Sequence, residues 1–534
     1  METKNWVNII LLGFGFFLLF SAFQTTAFIQ TLTISSYLSP TCNPGNKTSY
    51  GVLSSSLADR VGYLSGSIIY LMVAIGNWVS VSIVSIFGAK WSLVISGALY
   101  VIYIACLIRP LIYSIFIGAF ILGAGGGVLW TAQGQILIQN SSKERMGTTS
   151  GIFWFMLESS LVVGSIYIFS YYYIKRDSFS SSETFCFPHT QNMIIFGVLT
   201  FVAICGIVVL LFISPVEKMS TGSSVGSINS SSSREKEPLM SSRQSRTSVQ
   251  VFSSSPDFIA NCHPYVQAVL NPLIKAVKMM ITWKMLLLCV TFVYTGYELG
   301  FWSGVYGTMI GHTHVFPKYY VGAALFFIGL GEIIGGGLFG VFGSYTNRFG
   351  RDPILLLGLI CHMVCFLLTF YFFSEDSIAG DVKSSDSYGA LGVYGLMSNI
   401  YVALGGAFLL GLGDACFNTQ IYSIIGVIYS SDEDSAPAMA LYKFFQSITA
   451  FVSFLTSTLL KLQWQLLILV VLAVLGTVTF CIVEWDYHRS EQKREDDLTN
   501  SYEEPNDTRY AVEKTYSASS LDGEDGFMSD SSAH

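Results

Sequence analysis

Residues 400–428 read Ile-Tyr-Val-Ala-Leu-Gly-Gly-Ala-Phe-Leu-Leu-Gly-Leu-Gly-Asp-Ala-Cys-Phe-Asn-Thr-Gln-Ile-Tyr-Ser-Ile-Ile-Gly-Val-Ile, with one charge, Asp414, at the midpoint. About 20 apolar residues are enough for a helix to cross roughly 30 Å of hydrocarbon. A charged side chain at that depth costs roughly 2.5–3.5 kcal/mol on the mildest scale, so it normally faces a cavity or a partner. The stretch therefore says two things: the chain crosses a bilayer, and the inside of its bundle is polar.

Working outward, eleven more such runs appear, giving spans over 7–30, 61–85, 91–109, 111–138, 150–174, 192–213, 284–307, 319–343, 353–373, 400–428, 437–460 and 464–485. They are too long for barrel strands, which run about 10 residues and alternate polar with apolar. The whole chain is 52% apolar and 12% charged, against about 25% charged in a soluble protein. The expected fold is an all-α membrane protein with twelve transmembrane helices in two six-helix halves. These halves are residues 1–213 and 284–485. A Ser-rich linker over 214–283 and an acidic tail over 486–534 lack the apolar content to fold, and both read as largely disordered. The run from Val7 to about Gln30 has no A-x-A cleavage site and reads as the first span, not a cleaved signal peptide.

The net charge of −7 makes no case for nucleic acid, and much of the acid lies in the tail. No nucleophile–base pair or metal set appears, so a soluble-type enzyme is not expected and no cofactor is assigned. Cys361-His362 with Cys365 has the wrong order for haem attachment and reads as ordinary spanning-helix residues. Nor do His312 and His314 have an evident third metal ligand. With both termini in the cytosol, about 19 Lys and Arg fall on that side and about 8 on the other. On the far side lies the glycosylation triplet Asn46-Lys47-Thr48, which marks Asn46 as an acceptor. Cys42 and Cys186 are the only cysteines in the non-cytosolic loops, and that compartment permits disulfides, so they are expected to pair. In the linker, Glu235-Lys-Glu-Pro-Leu239-Met240 has the shape of an endosomal or lysosomal sorting signal, with a chance match as the competing reading. The membrane of residence is left between endosome or lysosome and plasma membrane.

The two halves resemble each other. Phe120-Ile-Leu-Gly123-Ala-Gly125 is matched by Phe408-Leu-Leu-Gly411-Leu-Gly413, Ser141-Ser142-Lys-Glu144 by Ser430-Ser431-Asp-Glu433, and Phe87-Gly88 by Phe349-Gly350. Weak internal repeats of this kind are common in transporter folds. Small-xxx-small spacings at Gly123/Gly127, Gly331/Gly335 and Gly336/Gly340 point to closely packed helices.

Interior acids are unevenly spread: Glu158 in span five, Glu298 in seven, Glu332 in eight, Asp414 in ten. Lys443 in span eleven could reach Asp414 or Glu332. The amides Gln24, Asn77, Gln133, Gln135, Asn418, Gln420 and Gln446 add to a wet central cavity. Two readings stand. The carboxyls either titrate or bind a cation, coupling solute movement to an ion gradient, or they are hydrogen-bonded struts between helices. Candidate solute or ion-coupling residues are Glu298, Glu332, Asp414, Glu158, Gln133, Asn418 and Lys443. Between spans eight and nine, Gly343-Ser-Tyr-Thr-Asn347-Arg348-Phe-Gly350-Arg351-Asp352 combines turn residues with two arginines. Those arginines can meet the negative C-terminal end of span eight.

That loop resembles the recurring loop motif of the major facilitator superfamily, with Asn347 where aspartate is usual. The resemblance makes Gly343, Asn347, Arg348, Gly350 and Arg351 a gating loop. A narrower similarity rests on Leu129-Trp130-Thr131-Ala132-Gln133-Gly134, Ser150-Gly151-Ile152-Phe153-Trp154, Gly304-Val305-Tyr306-Gly307-Thr308, Gly411-Leu412-Gly413-Asp414, Phe417-Asn418-Thr419-Gln420, Glu433-Asp434-Ser435-Ala436-Pro437-Ala438 and Trp464-Gln465-Leu466-Leu467. These resemble the Unc-ninety-three-like family within that superfamily. The resemblance implies that spans three, six, nine and twelve lie outside the cavity and that the four acids sit on cavity-forming helices. It implies either a secondary solute transporter working by alternating access or a non-transporting regulatory or trafficking partner of another membrane protein. Members of the wider family partner potassium channels or escort Toll-like receptors. Expected partners are the lipid bilayer, an unknown small solute, protons or cations, and another membrane protein.

Overall fold

The computed structural model describes residues 2–38, 55–141, 146–175, 189–214, 273–313, 315–341, 350–378, 398–429 and 432–503. Within them, twelve helices are long and apolar enough to cross a membrane. Spans one to six are Lys4–Leu38, Arg60–Val84, Ala89–Cys106, Ile112–Leu137, Ile152–Ile174 and Thr190–Leu211. Spans seven to twelve are Trp283–His312, Tyr320–Gly337, Asp352–Phe372, Ile400–Ile428, Pro437–Thr456 and Leu462–Asp497. The chain divides into two compact units, Met1–Cys481 and Ile482–His534. Asn46, Cys42, Cys186, Gly343, Asn347 and Arg348 lie outside the described residues, as does most of the linker.

Two stretches expected as loop or tail are helical. Residues 273–280 form a helix, in which Leu273, Ile274, Val277 and Met280 alternate with two lysines, and Lys275 Nζ pairs with Asp434 Oδ1 at 3.0 Å. The last helix continues through the charged sequence to Glu503. There, neighbours one turn apart attract each other: His488 Nε2 lies 3.1 Å from Glu484 Oε1, and Arg494 Nη2 lies 2.8 Å from Glu491 Oε2.

The spans are apolar all round, so burial and not amphipathicity tells which face looks where. Span six leaves Ile194, Val198, Phe201, Ile204 and Val208 exposed, a stripe at helical spacing. Spans three, nine and twelve carry similar stripes: Trp91, Ile95 and Ile102; Ile360, Val364 and Leu367; Leu467, Val471 and Val478. These are faces for lipid, and they put spans three, six, nine and twelve at the periphery.

Inside, span five packs on span eight, span two on span eleven, and span ten on spans eight and nine. Glycine makes the closest approaches. A methyl group at Gly123 would strike the Ile69 carbonyl of span two, and one at Gly411 would strike the Ile328 carbonyl of span eight. Gly127 and Gly335 also face neighbouring helices closely, at 2.6 Å from Asn77 N and from Ala415 Cβ for an added methyl. Gly336 differs: among the described residues nothing lies within 4 Å of an added methyl. The matched glycines Gly88 and Gly350 have φ of 78° and 81°, a left-handed conformation that glycine adopts without steric cost. Both stand at the junction before a peripheral span.

Span seven is not uniform. After Trp283–Gly300 the backbone widens into a π-helical segment, Phe301–Tyr306, and then closes again over Gly307–His312. All six residues of the wide turn are buried. Gly300, Gly304 and Gly307 lie along it, facing Ser453, Phe454 and Phe28 respectively.

Candidate functional site

The antiparallel packing of spans five and eight fixes which acids meet. Gly322 lies against Phe169 and Gly329 against Leu161. One helical turn onward from Gly329 is Glu332, and one turn back from Leu161 is Glu158. Their carboxyls face each other. One oxygen of each, Glu158 Oε2 and Glu332 Oε2, is buried with no hydrogen-bond donor. A second pair forms where Glu298 of span seven faces Asp414 of span ten. Glu298 is 1% exposed, and among the described residues neither of its carboxyl oxygens accepts from a donor.

A hydrogen-bonded chain runs from the second pair to the lysine. Asn418 Nδ2 donates to Asp414 Oδ1 at 2.7 Å, and the Tyr442 hydroxyl donates to Asn418 Oδ1 at 2.5 Å. Gln446 Nε2 donates to the Tyr442 oxygen at 3.2 Å, and Lys443 Nζ donates to Gln446 Oε1 at 2.8 Å. Lys443 also lies within electrostatic reach of Asp414 and Glu158. Its ammonium sits over three aromatic faces: Tyr442 at 4.6 Å, Tyr422 at 5.5 Å and Trp130 at 5.6 Å. Trp130 stacks on Trp154 at 6.0 Å, and Trp154 contacts Tyr422 at 5.3 Å.

His362, dismissed in the sequence as ordinary packing, belongs to this site. Its Nε2 lies 3.9 Å from Glu298 Oε1 but 3.0 Å from the Leu410 carbonyl. A carbonyl only accepts, so Nε2 carries the hydrogen, and a neutral ring then accepts at Nδ1 from the Tyr294 hydroxyl. The two ring nitrogens thus meet Leu410 and Tyr294, and Nε2 is too far from Glu298 Oε1 for a hydrogen bond. Its ring lies flat against Phe417, and a methyl at Gly413 would strike it.

Of the expected residues, Glu158, Glu298, Glu332, Asp414, Asn418 and Lys443 come together. Lys443 reaches Asp414 and Glu158, with Glu158 taking the place expected for Glu332. Gln133 is buried on span four and, among the described residues, hydrogen-bonds to none of them. Gln24 instead joins span one to span five, accepting from Ser160 at 2.7 Å. Arg351 is buried and donates from Nε to Ser423 Oγ at 2.8 Å, which ties the start of span nine to span ten. Sequence reasoning missed His362, Tyr442 and the cage role of Trp130. A histidine in mid-span is an ionisable intramembrane group, a signal sufficient to single it out; the aromatic cage shows only once spans four, ten and eleven are assembled.

The arrangement has four carboxyls against one lysine in a setting of low polarity. Like charges this close favour a shared proton or a bound cation. Glu158, Asp414, Asn418 and Lys443 are only half-buried, although their helices are packed on neighbours.

The comparisons agree with this architecture. The family model described as "Ion channel regulatory protein UNC-93" matches residues 54–481. UNC93-like protein MFSD11 of Xenopus laevis is 35% identical over 487 residues, 91% of this chain and 97% of its own. UNC93-like protein MFSD11 of Xenopus tropicalis is 35% identical over 494 residues, 92% of this chain and 98% of its own. The motifs above are most similar to that same branch, major facilitator superfamily domain-containing protein eleven. Protein unc-93 homolog A of Xenopus laevis is more distant, 22% identical over 94% of this chain and 98% of its own. The matched region takes in spans two to eleven whole and part of span twelve, and the relatives align nearly end to end, so this multi-pass membrane protein belongs to the UNC-93 family.

Proposed function

We propose that the protein is a secondary solute transporter that works by alternating access and couples solute movement to protons or cations through its buried carboxyls. The observation that carries this reading is the excess of acid among the described residues: Glu158 and Asp414 lie within electrostatic reach of Lys443, and each faces a further carboxyl, Glu332 and Glu298 respectively. A strut needs its polar atoms satisfied, because a buried group without a partner costs about 1–3 kcal/mol. Glu298 and Glu332 each face another carboxyl, an arrangement that takes up a proton or a cation to relieve like charge, which favours coupling groups over mere struts. The Glu158–Glu332 pair joins a helix of the first six spans to one of the last six, where a change of charge can act on how the two sets meet.

The test is gradient-driven uptake in proteoliposomes, with the solute found by an untargeted metabolite comparison of vesicles with and without the protein. Uptake is expected to follow the imposed proton or cation gradient and to be lost in Asp414→Asn and Glu298→Gln proteins that still purify folded. Uptake indifferent to the gradient and to both substitutions would sink the reading. The alternative is a non-transporting regulatory or trafficking partner of another membrane protein. It is favoured by the description of the matched family as ion channel regulatory. It calls for co-purification with a defined membrane partner and an effect on that partner that survives both substitutions.

A further inference from the structure

We propose that the ground between Glu158 and Asp414 is a binding site for a small organic amine, and that the protein's own Lys443 side chain occupies it as a tethered competitor. The proposal rests on the transporter reading and names the class of solute. An ammonium group wants three things: opposite charge, aromatic faces and hydrogen-bond acceptors for its N–H groups. All three converge on Lys443 Nζ. Asp414 and Glu158 supply the charge, Trp130, Tyr422 and Tyr442 the faces, and Gln446 Oε1 an acceptor at 2.8 Å.

Two features extend the recognition elements beyond the lysine. First, the charge is not used up. Glu332, 3% exposed, directs a carboxyl with an unpartnered oxygen at Glu158, so a second cation has acid to meet. Second, the aromatic wall runs on past the ammonium, since Trp154 bridges Trp130 and Tyr422. That surplus apolar face suits an aryl or alkyl arm. A carboxylate solute would instead enter among four acids. Lys443 stands on a flexible four-carbon stem, so its head can leave the cage when a solute ammonium arrives and return when the solute departs.

The experiment titrates the full chain in lipid nanodiscs, without any gradient, with phenethylammonium and with 3-phenylpropionate, which has a similar shape and the opposite charge. Quenching of tryptophan fluorescence is the readout, because Trp130 and Trp154 line the site. Phenethylammonium is expected to bind, and Lys443→Gln is expected to tighten it by about tenfold, the scale of one desolvated cation–π contact. Lys443→Arg keeps the competitor and should give no tightening. Asp414→Asn in the Lys443→Gln background should remove binding. If Lys443→Gln does not fold, Trp130→Leu in the otherwise native chain must weaken phenethylammonium by a similar factor. The proposal is overturned if 3-phenylpropionate binds and Lys443→Gln abolishes it, if Lys443→Gln leaves amine affinity unchanged, or if the amine fails to bind any folded variant. Binding of the amine without gradient-driven uptake overturns the transporter reading alone. Uptake of a carboxylate without amine binding overturns only this one.

Discussion

The first six spans and the last six share a scaffold and divide the chemistry. Gly123 and Gly411 occupy matched positions, and each lets its helix press on a carbonyl of a neighbour, Ile69 and Ile328 respectively. Gly88 and Gly350 are matched as well, and both are left-handed. Carrying the same alignment forward sets Gly126 against Asp414, Trp130 against Asn418 and, through Ser141 and Ser430, Trp154 against Lys443. At these matched places the first six spans carry a glycine and two tryptophans where the last six carry Asp414, Asn418 and Lys443. Span one runs as a single helix, Glu2–Leu38, whereas span seven opens into a wide turn just after Glu298. Wide turns of this sort add a residue to the helix and recur at functional sites. A duplicated backbone thus preserves its contacts while the side chains at equivalent places take different work.

The sharpest way to break that comparison is to attack the shared scaffold. Gly123→Val and Gly411→Val are both expected to prevent recovery of folded protein, because the added carbons meet backbone on the next helix. Overpacking costs about 1–3 kcal/mol and sometimes more, and backbone against backbone belongs at the upper end. Gly336→Val is the control, since no described residue lies within 4 Å of an added methyl there, and it should purify like the native chain. Size-exclusion profiles in detergent decide the matter. Tolerance at Gly123 with collapse at Gly411 would mean that the two glycines are alike in sequence only.

The next largest effect separates scaffold from chemistry. Removing one partner of a buried hydrogen-bonded charge set costs about 2–5 kcal/mol. Asp414→Asn, which disturbs the chain through Asn418 and Tyr442 to Lys443, is expected to lower gradient-driven uptake at least tenfold while the protein still folds. Gly126→Asp, which moves an acid to the matched place among the first six spans, should not restore it. There a side chain would meet Val73 at 2.8 Å and the Tyr100 hydroxyl at 3.3 Å, away from the lysine.

Much of this was legible in the sequence. The twelve spans were, because about 20 apolar residues without charge have few other fates. Glu158, Glu298, Glu332 and Asp414 stood out because acids are costly at that depth. What could not be read was who meets whom. Glu332 faces Glu158 only because Gly329 seats on Leu161, and that register is a matter of three-dimensional packing. The role of His362 was hidden for a different reason. Its two flanking cysteines invited a metal or haem reading, and once that failed nothing in the sequence tied the ring to Tyr294 and Leu410. Residues 486–503 misled because their polar composition reads as tail, whereas charge pairs one turn apart extend the preceding helix.

A smaller effect is expected at His362. His362→Asn leaves the Leu410 carbonyl and the Tyr294 hydroxyl short of a partner in a buried setting, which costs about 1–3 kcal/mol. Thermal unfolding in detergent should show that loss. Uptake by the folded fraction should fall less than in Glu298→Gln, since the ring nitrogens meet Leu410 and Tyr294 and make no hydrogen bond to Glu298. Equal losses in the two variants would mean that His362 is a charged partner of Glu298, and the division between support and chemistry within the last six spans would need redrawing.

The smallest effect belongs to charge outside the bundle. Lys461, between spans eleven and twelve, lies 2.5 Å from Glu375 Oε1 and 3.4 Å from Asp376 Oδ1. The Glu375 carboxylate, helped by Asp376, holds its ammonium pKa above the ordinary lysine value. For a base with a raised pKa, the stabilisation is whole below the ordinary lysine value and fades only as pH climbs through the raised one. Around neutral pH the pair is therefore fully formed, and stability should not vary with pH on its account. Exposed pairs of this kind contribute little because water and salt screen them. Lys461→Met should accordingly leave thermal unfolding and uptake unchanged within error, unlike Asp414→Asn. A marked loss on Lys461→Met would show that the loop after span nine, which also accepts the Leu462 backbone N–H at the Glu375 carbonyl, takes part in the moving machinery. Charge that matters would then extend beyond the interior of the bundle.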